Sequence, residues 1–185
     1  LILLYLPFIG FGQNTSVSEE DVINAEHAAR FGNLMVQDDY GRLNPVHNLC
    51  SDFLRELYGK DHFNNLSATQ VLLGMMNNPT MWRQEPIIKL SATELRSLFA
   101  NTDIIDMIKN LSNGLEIYAD VMAGQDVINI KVSFNKFFDN NGNYILRKDL
   151  KSAYEKLQRD RNQYDKDLID LNYKVNMCYN IFSGS

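Results

Sequence analysis

Three histidines are the side chains with the widest chemical repertoire here, and their spacing does not let them act together. His27, His47 and His62 never fall at the i, i+4 interval that sets two imidazoles on one helical face, and no HExxH stretch occurs. Each reads as an exposed or structurally satisfied ring. His47 is the candidate that stands out. It follows Pro45, and a neutral imidazole there is able to ligate iron in the way haem iron is held by axial groups. Cys50 and Cys178 include no CxxC pair, which removes a thioredoxin-like redox site, a zinc ribbon and a covalent haem-attachment motif. They read as small buried apolar groups, with a disulfide left open for an oxidising compartment.

Met75, Met76 and Met81 beside Trp82 offer thioethers and an aromatic face to a soft metal or a cofactor. Two of these methionines sit among leucines, however, which points to core packing. Phe138-Asp139-Asn140-Asn141-Gly142 hints at a calcium loop, but counting back from Gly142 puts Phe137 at the first ligand position, so the pattern fails. The Asn-x-Ser triplets at Asn14, Asn65 and Asn110 arise easily in so Asn-rich a chain. No GxSxG, phosphate-binding loop or dinucleotide fingerprint is present. No catalytic residue and no metal ligand is assigned, and a hydrolase or lyase lacks a nucleophile–base set.

The 185 residues suit one domain with a real core. Hydrophobic content of 45% and charged content of 22% are those of a globular protein rather than a disordered one. The net charge of −5 argues against a nucleic-acid partner, which needs a basic face to displace counterions. Lys148, Lys151, Lys156, Arg159 and Arg161 are interleaved with acids and read as a solvated helix surface. The uncharged stretch Leu1–Phe11 is shorter than the roughly 20 residues of a membrane span and contains Pro7. It reads as the cut remnant of a membrane or signal segment over 1–13, with residues 14–185 forming one domain. The other reading is an apolar element packed on that core.

The elements that would position these residues are mostly helical. Ser18 is expected to cap a helix carrying Val22, Ile23, Ala25, Ala29 and Phe31 and ended by Gly32. Phe31–Pro45 then reads as a short apolar strand, a polar turn closed by Gly41, and a second strand stopped by proline. Asn48 is placed to cap a helix bearing Leu49, Phe53, Leu54 and Leu57 and stopped by Gly59. Ser67 with Gln70, and Ser91 with Glu94, have capping-box spacing. The first box opens a buried run of Val71, Leu72, Leu73, Met75 and Met76 broken at Asn78-Pro79. Pro86–Leu90 is a brief strand or link, Thr102 is expected to cap a helix over 103–111, and 113–130 gives a weak signal. Phe134, Phe137 and Phe138 close a short element before the turn at 140–143. Tyr164, Leu168, Leu171, Val175, Cys178 and Phe182 form one helical stripe, with Leu150, Tyr154 and Leu157 beginning the same pattern. Residues 159–163 are a polar break or an exposed turn. The fold class is mainly α: a single helical domain with a small β-hairpin element.

An ordered set of short blocks carries a resemblance to a known family. They are Phe31-Gly32, Val36-Gln37-Asp38, Gly41-Arg42, Pro45 and Leu54-Arg55, then Gln70 to Met75, Asn78-Pro79, Trp82 and Pro86. Phe137-Phe138-Asp139, Gly142-Asn143-Tyr144, Asn162, Asp165-Lys166 and Val175 to Tyr179 complete the order. In that order the chain resembles, from about Glu26 to Gly184, the extracytoplasmic domain of system II cytochrome c biogenesis proteins. The likeness is to the fused ResB/CcsA type, in its Bacteroidetes form. After Pro45 the family tends to have a hydrophobic residue, Asn or Asp, then Thr, where this chain has Val46-His47-Asn48.

The resemblance implies a periplasmic domain of a bacterial inner-membrane protein that exports haem and supports its presentation to, and attachment on, apocytochrome c. The implied partners are apocytochrome c and the membrane part of the same polypeptide, with tethering through flanking segments and no nucleic acid. Haem is implied for the full-length protein and none for this fragment. The family's tryptophan-rich WWD-type segment is missing here, since Trp82 is the sole tryptophan; any haem-ligating activity would lie in the membrane part. Gln37, Asp38, Arg42 and Pro45, on the hairpin, are the candidate partner-binding residues, because loops on a rigid scaffold commonly carry binding. The alternative is a generic extracytoplasmic protein-interaction module unrelated to haem.

Overall fold

Local capping chemistry starts most of the elements. A computed structural model describes residues 22–37, 41–98, 101–111 and 130–184. Helix α1 (Ala25–Gly32) begins at Asn24, whose side chain accepts the backbone N–H groups of Glu26 and His27, so the cap is Asn24. The Ser18 expected in that role lies outside the described residues. Strands β1 (Met35–Gln37) and β2 (Leu43–Pro45) pair antiparallel with Met35 opposite Pro45, Val36 opposite Asn44 and Gln37 opposite Leu43, which is the expected hairpin. Helix α2 (Val46–Tyr58) starts directly from Pro45 and stops at Gly59, φ 82°. Asn48 is therefore inside its first turn rather than capping it, and donates to Asn44 Oδ1 at 3.0 Å.

A tight hairpin of β3 (His62–Phe63) and β4 (Leu66–Ser67) leads into α3 (Ala68–Asn77). Both capping boxes form as the sequence predicts. Gln70 N donates to Ser67 Oγ at 3.3 Å and Ser67 N to Gln70 Oε1 at 3.0 Å; Glu94 N donates to Ser91 Oγ at 3.2 Å and Ser91 N to Glu94 Oε2 at 2.6 Å. The short α4 (Pro79–Trp82) follows with proline in its first turn, where no N–H is missed. Strand β5 (Ile88–Leu90) precedes α5 (Ala92–Leu98) and pairs antiparallel with β6 (Ile130–Val132). Helix α6 (Thr102–Lys109) is capped by Asn101 rather than Thr102, since the longer-reaching amide takes the Ile104 N–H at 3.0 Å. A 3-10 turn at Phe134–Phe137 leads to the turn over 139–143. There Asp139 Oδ1 accepts the backbone N–H groups of Asn141 and Asn143 at 2.8 Å each and Oδ2 accepts the Asn143 side-chain amide at 3.0 Å, so donors of the turn itself hold the oxygens a calcium loop would use.

Helix α7 (Arg147–Glu155) and the 21-residue α8 (Gln163–Ser183) are separate, divided by a 3-10 turn at Gln158–Asp160 and a new capping box of Asn162 with Asp165. The α8 stripe packs on α3, α5, α7 and β5, with Leu168, Leu171, Val175, Cys178 and Phe182 buried. Tyr154 and Leu157 do not continue that stripe into the core: both are exposed and Ala153 is buried in their place, because the break resets the helical phase. Cys50 and Cys178 are buried free thiols. Among the described residues the fold is mainly helical with three small two-stranded antiparallel sheets. No described helix is long and apolar enough to cross a membrane.

Two carboxylates tie α8 to its neighbours. Asp165 accepts both hydrogen bonds of Lys156 Nζ, at 2.7 and 2.8 Å. These outweigh its burial and, with the Asn162 N–H, hold it below the usual carboxylate range. Glu94 meets Lys174 Nζ at 2.6 Å. Burial alone would raise its carboxyl, but the bonds from Lys174 and Ser91 win and leave it lowered. A folded pKa below the unfolded one adds stability that is complete above the ordinary carboxylate range and is lost as pH falls through the depressed values. The urea midpoint is accordingly expected to drop steeply below about pH 4. A Glu94→Gln, Asp165→Asn double variant, weaker at neutral pH, should show a flatter profile in the same titration.

Candidate functional site

The hairpin presents two different faces because side chains alternate across a strand. Val36 points inward and packs on the core, while Met35, Gln37, Leu43 and Pro45 share the other face. That face is apolar and open: Leu43 is 70% exposed and Met35 54%, with Leu34 just before β1 and Leu49 in α2 also exposed. The hairpin is anchored to α2 by Val46 N donating to Leu34 O at 2.9 Å. Of the four candidate binding residues, Arg42 is exposed and Pro45 is half-buried at the start of α2. Gln37 closes the turn by donating to Gly41 O at 3.0 Å. Asp38 lies outside the described residues. Met35 and Leu43 were legible as strand residues, but only the register places them on one exposed face. Leu49 was expected in the apolar stripe of α2; the buried phase runs through Val46, Cys50, Leu54 and Leu57 and leaves it at the rim.

The histidines occupy three different environments. His62 is exposed and bonds Asp61 at 3.0 Å, and this contact with that of Arg55 lowers the Asp61 carboxyl. His47 lies in the first turn of α2, not in a loop, and Nδ1 donates to Gly32 O at 3.1 Å. Glycine makes the approach close here: a Cβ on Gly32 would sit 3.1 Å from His47 Cβ and 3.3 Å from Thr69 Oγ1, so Gly32 lets α1 lie tightly against α2 and α3.

His27 projects from α1 into an open groove of about 310 Å³, shared with Ile23, Leu73, Met76 and Asn77. Met76 was expected in the core. Val71 and Met75 take the buried phase of α3 instead, and Met76, one step round the helix, is 54% exposed. Gln70 Nε2 donates to Ile23 O at 2.8 Å and fixes the groove's two walls against each other.

Further polar clusters bind helix to helix. Asn101, Asp149 and Tyr164 share one network, with Tyr164 Oη donating to Asp149 Oδ2 at 3.0 Å. Ser97 and Gln163 both donate to Asp167. Every carboxylate in these sets has its donors. Among the described residues no three His, Cys, Asp or Glu side chains are grouped to hold a metal ion.

Comparison with known proteins adds a relative to this geometry. The chain is similar to Protein NrfI of Wolinella succinogenes. The two are 31% identical over 155 residues, which is 84% of this chain and 14% of NrfI. The likeness to NrfI therefore takes in most of the chain, while the chain spans only a small part of NrfI's length. No family model matches the chain.

Proposed function

We propose that this chain is the water-exposed domain of a membrane-anchored cytochrome c maturation protein of the fused ResB/CcsA kind. It stands on the periplasmic side of a bacterial inner membrane, tethered through flanking segments, and supports haem presentation to apocytochrome c. The observation that carries the reading is the likeness to NrfI across 84% of the chain. The ordered blocks from Phe31-Gly32 to Tyr179 carry the finer assignment to the fused type.

In this reading the domain lends shape to chemistry performed in the membrane part. The open face of the hairpin supplies the contact with apocytochrome c: an uncovered apolar surface beside Arg42 suits an extended chain that buries apolar side chains on docking. A charge placed there should cost about tenfold or more in affinity, since it must be desolvated on contact. In cells carrying Leu43→Glu with Arg42→Glu, covalently bound haem in c-type cytochromes is expected to fall by about that factor, read by haem staining. Lys166→Glu, on the solvent side of α8, should leave it unchanged. Unaltered cytochromes in the hairpin variant would end the docking role.

The open hairpin also suits the alternative, an interaction module unrelated to haem. Excision of the domain with no loss of cytochrome haem would favour that alternative.

A further inference from the structure

One flank of α7 gathers cations that no carboxylate neutralises. Arg147, Lys148 and Lys151 are exposed, and among the described residues none of them makes an ion pair. Residues 147–161 hold six Lys and Arg against three acids, in a chain whose net charge is −5. Two of those acids are engaged. Asp149 turns inward to Asn101 and Tyr164, and Asp160 meets Arg159 at 3.7 Å, leaving Glu155 as the exposed acid of the helix. Lys156 is committed to Asp165. The local excess of positive charge is therefore carried by the three unpaired side chains.

Apolar groups stand beside them. Arg147, Lys151 and Tyr154 follow steps of four and three along α7, which sets them on one stripe while Leu150 and Ala153 are buried. Tyr154 is 52% exposed, and Leu157, just past the helix, 61%. The Tyr154 hydroxyl accepts from Asn172 Nδ2 at 3.3 Å. Arg161, anchored by Nε on Ala153 O at 3.1 Å, stands 5.7 Å from the centre of the Tyr154 ring. The ring is thus held in place with its polar tip already bonded and apolar carbon left to solvent.

Long-stemmed cations beside a fixed aromatic ring and a bare leucine suit the boundary of a bilayer. There ammonium and guanidinium groups meet phosphates, and rings lie at headgroup level. An acidic soluble partner answers the cations but not the apolar pair; an anionic bilayer answers both. We infer that this flank of α7 rests on an anionic bilayer surface, with Arg147, Lys148 and Lys151 over the headgroup phosphates and Tyr154 and Leu157 at the interface. This is a second surface, apart from the hairpin, and it rests on the proposed tethering only for a bilayer within reach. Lys148 and Lys151, which read in sequence as a solvated helix surface, are lipid contacts in this arrangement.

The test is co-sedimentation of the full 185-residue chain with two kinds of vesicle, phosphatidylcholine alone and phosphatidylcholine with about one third phosphatidylglycerol, at about 0.05 M and about 0.5 M salt. The net charge of −5 disfavours anionic vesicles for the molecule as a whole, and the uncharged stretch Leu1–Phe11 treats both kinds alike. A preference for the anionic vesicles therefore reads a cationic face. Partition onto them is expected to be about tenfold or more tighter at low salt, and the preference should vanish at high salt. Each cation near such a surface contributes roughly fivefold, so an Arg147→Gln, Lys148→Gln, Lys151→Gln variant should lose the preference altogether. Leu157→Ser should weaken anionic binding by about threefold or more. Lys60→Glu, just past α2, shifts the net charge almost as far and should bind as the parent does.

All the substituted side chains are exposed, so circular dichroism should show parental helices. The Lys148→Gln, Lys151→Gln pair serves if the triple variant does not fold. Equal partition onto both vesicles, no binding to either, parental preference in the neutralised variant, or loss of preference in Lys60→Glu would overturn the surface. Parental binding by Leu157→Ser would reveal a purely electrostatic contact open to any polyanion and would overturn the lipid assignment. If anionic vesicles are not preferred while the hairpin variant still lowers cytochrome haem, the α7 surface falls and the proposed function stands. If they are preferred as described and excision of the domain changes nothing in cells, the function falls and the surface stands.

Discussion

Replacing Lys174 by alanine is expected to destabilise the fold by about 3–5 kcal/mol, read from the urea midpoint at neutral pH. Lys174 lies on the face of α8 that meets α5, where its ammonium donates to Glu94 Oε1 at 2.6 Å and to Lys89 O at 3.3 Å. Its side chain is 10% exposed and that of Glu94 14%, so water reaches neither charge well. Removing the cation leaves the Glu94 carboxylate desolvated and without its counter-charge, and the Lys89 carbonyl without that donor. The penalty comes from the stranded anion more than from the attraction lost. A Glu94→Gln, Lys174→Met pair removes both charges and keeps an acceptor for the Ser91 N–H. It should therefore recover most of the loss and lie within about 1–2 kcal/mol of the parent. Equal midpoints for Lys174→Ala and the pair would show that no anion had been stranded. Against a typical domain stability of about 5–15 kcal/mol, the single variant should be partly unfolded at modest temperature.

Trp82→Ala should cost a comparable amount, about 3–5 kcal/mol, through the cavity it opens. The indole is 1% exposed and packs tilted against Phe63, with ring centroids 5.5 Å apart and planes at 58°. Phe63 in turn meets Tyr58 at 5.1 Å, and Lys131 Nζ sits 3.8 Å over the Tyr58 ring, so the row joins α2, the β3–β4 hairpin, α4 and β6. Glycine at 74 is what lets the indole lie against α3. A Cβ there would come within 2.7 Å of Trp82 Nε1 and 3.0 Å of its Cε2. Gly74→Ala alone should cost about 1–3 kcal/mol, the steric term exceeding the roughly 1 kcal/mol that alanine gains over glycine in a helix.

Placed in the Trp82→Ala background, the same change meets no indole and should turn neutral or favourable. A double-mutant cycle followed by circular dichroism reads the coupling directly, since the only tryptophan fluorophore is removed in two of its corners. Additive effects of the two changes would mean that Gly74 is needed for something other than the indole. The indole N–H has no hydrogen-bond partner among the described residues. Trp82→Phe should accordingly cost much less than Trp82→Ala, because it keeps most of the volume and removes a buried donor with nothing to give to.

Both predictions depend on contacts between segments distant in the chain, and that is where reading the sequence gave out. The capping boxes at Ser67 and Ser91, the Met35–Pro45 hairpin, the stop at Gly59 and the α8 stripe were all legible. Each is settled within a few residues, by a side chain reaching its own backbone or by a fixed period. Caps chosen from several adjacent polar residues were misplaced: Asn101 serves in place of Thr102, and Pro45 opens α2 ahead of Asn48. At each of those ends two or more residues have suitable local chemistry, and the packing of the helix decides where it begins.

Periodicity says that a helix has an apolar side, but it does not fix the phase where apolar residues run together. Met75 and Met76 were equivalent in sequence, yet one is in the core and the other faces solvent beside His27. The same holds for Leu49, Tyr154 and Leu157. Lys174 carried no signal of burial at all, because its burial comes from Glu94, 80 residues away.

What the amino-acid order by itself determined was the helical class, the hairpin and the helix starts backed by reciprocal side-chain bonds, since these follow from short-range sterics and hydrogen bonding. Tertiary structure alone decided which hairpin face is open, which charges are buried as a pair, and that an imidazole and a thioether share one groove. Those outcomes depend on how elements pack, and packing sums many weak contacts across the whole chain that no single stretch of sequence contains.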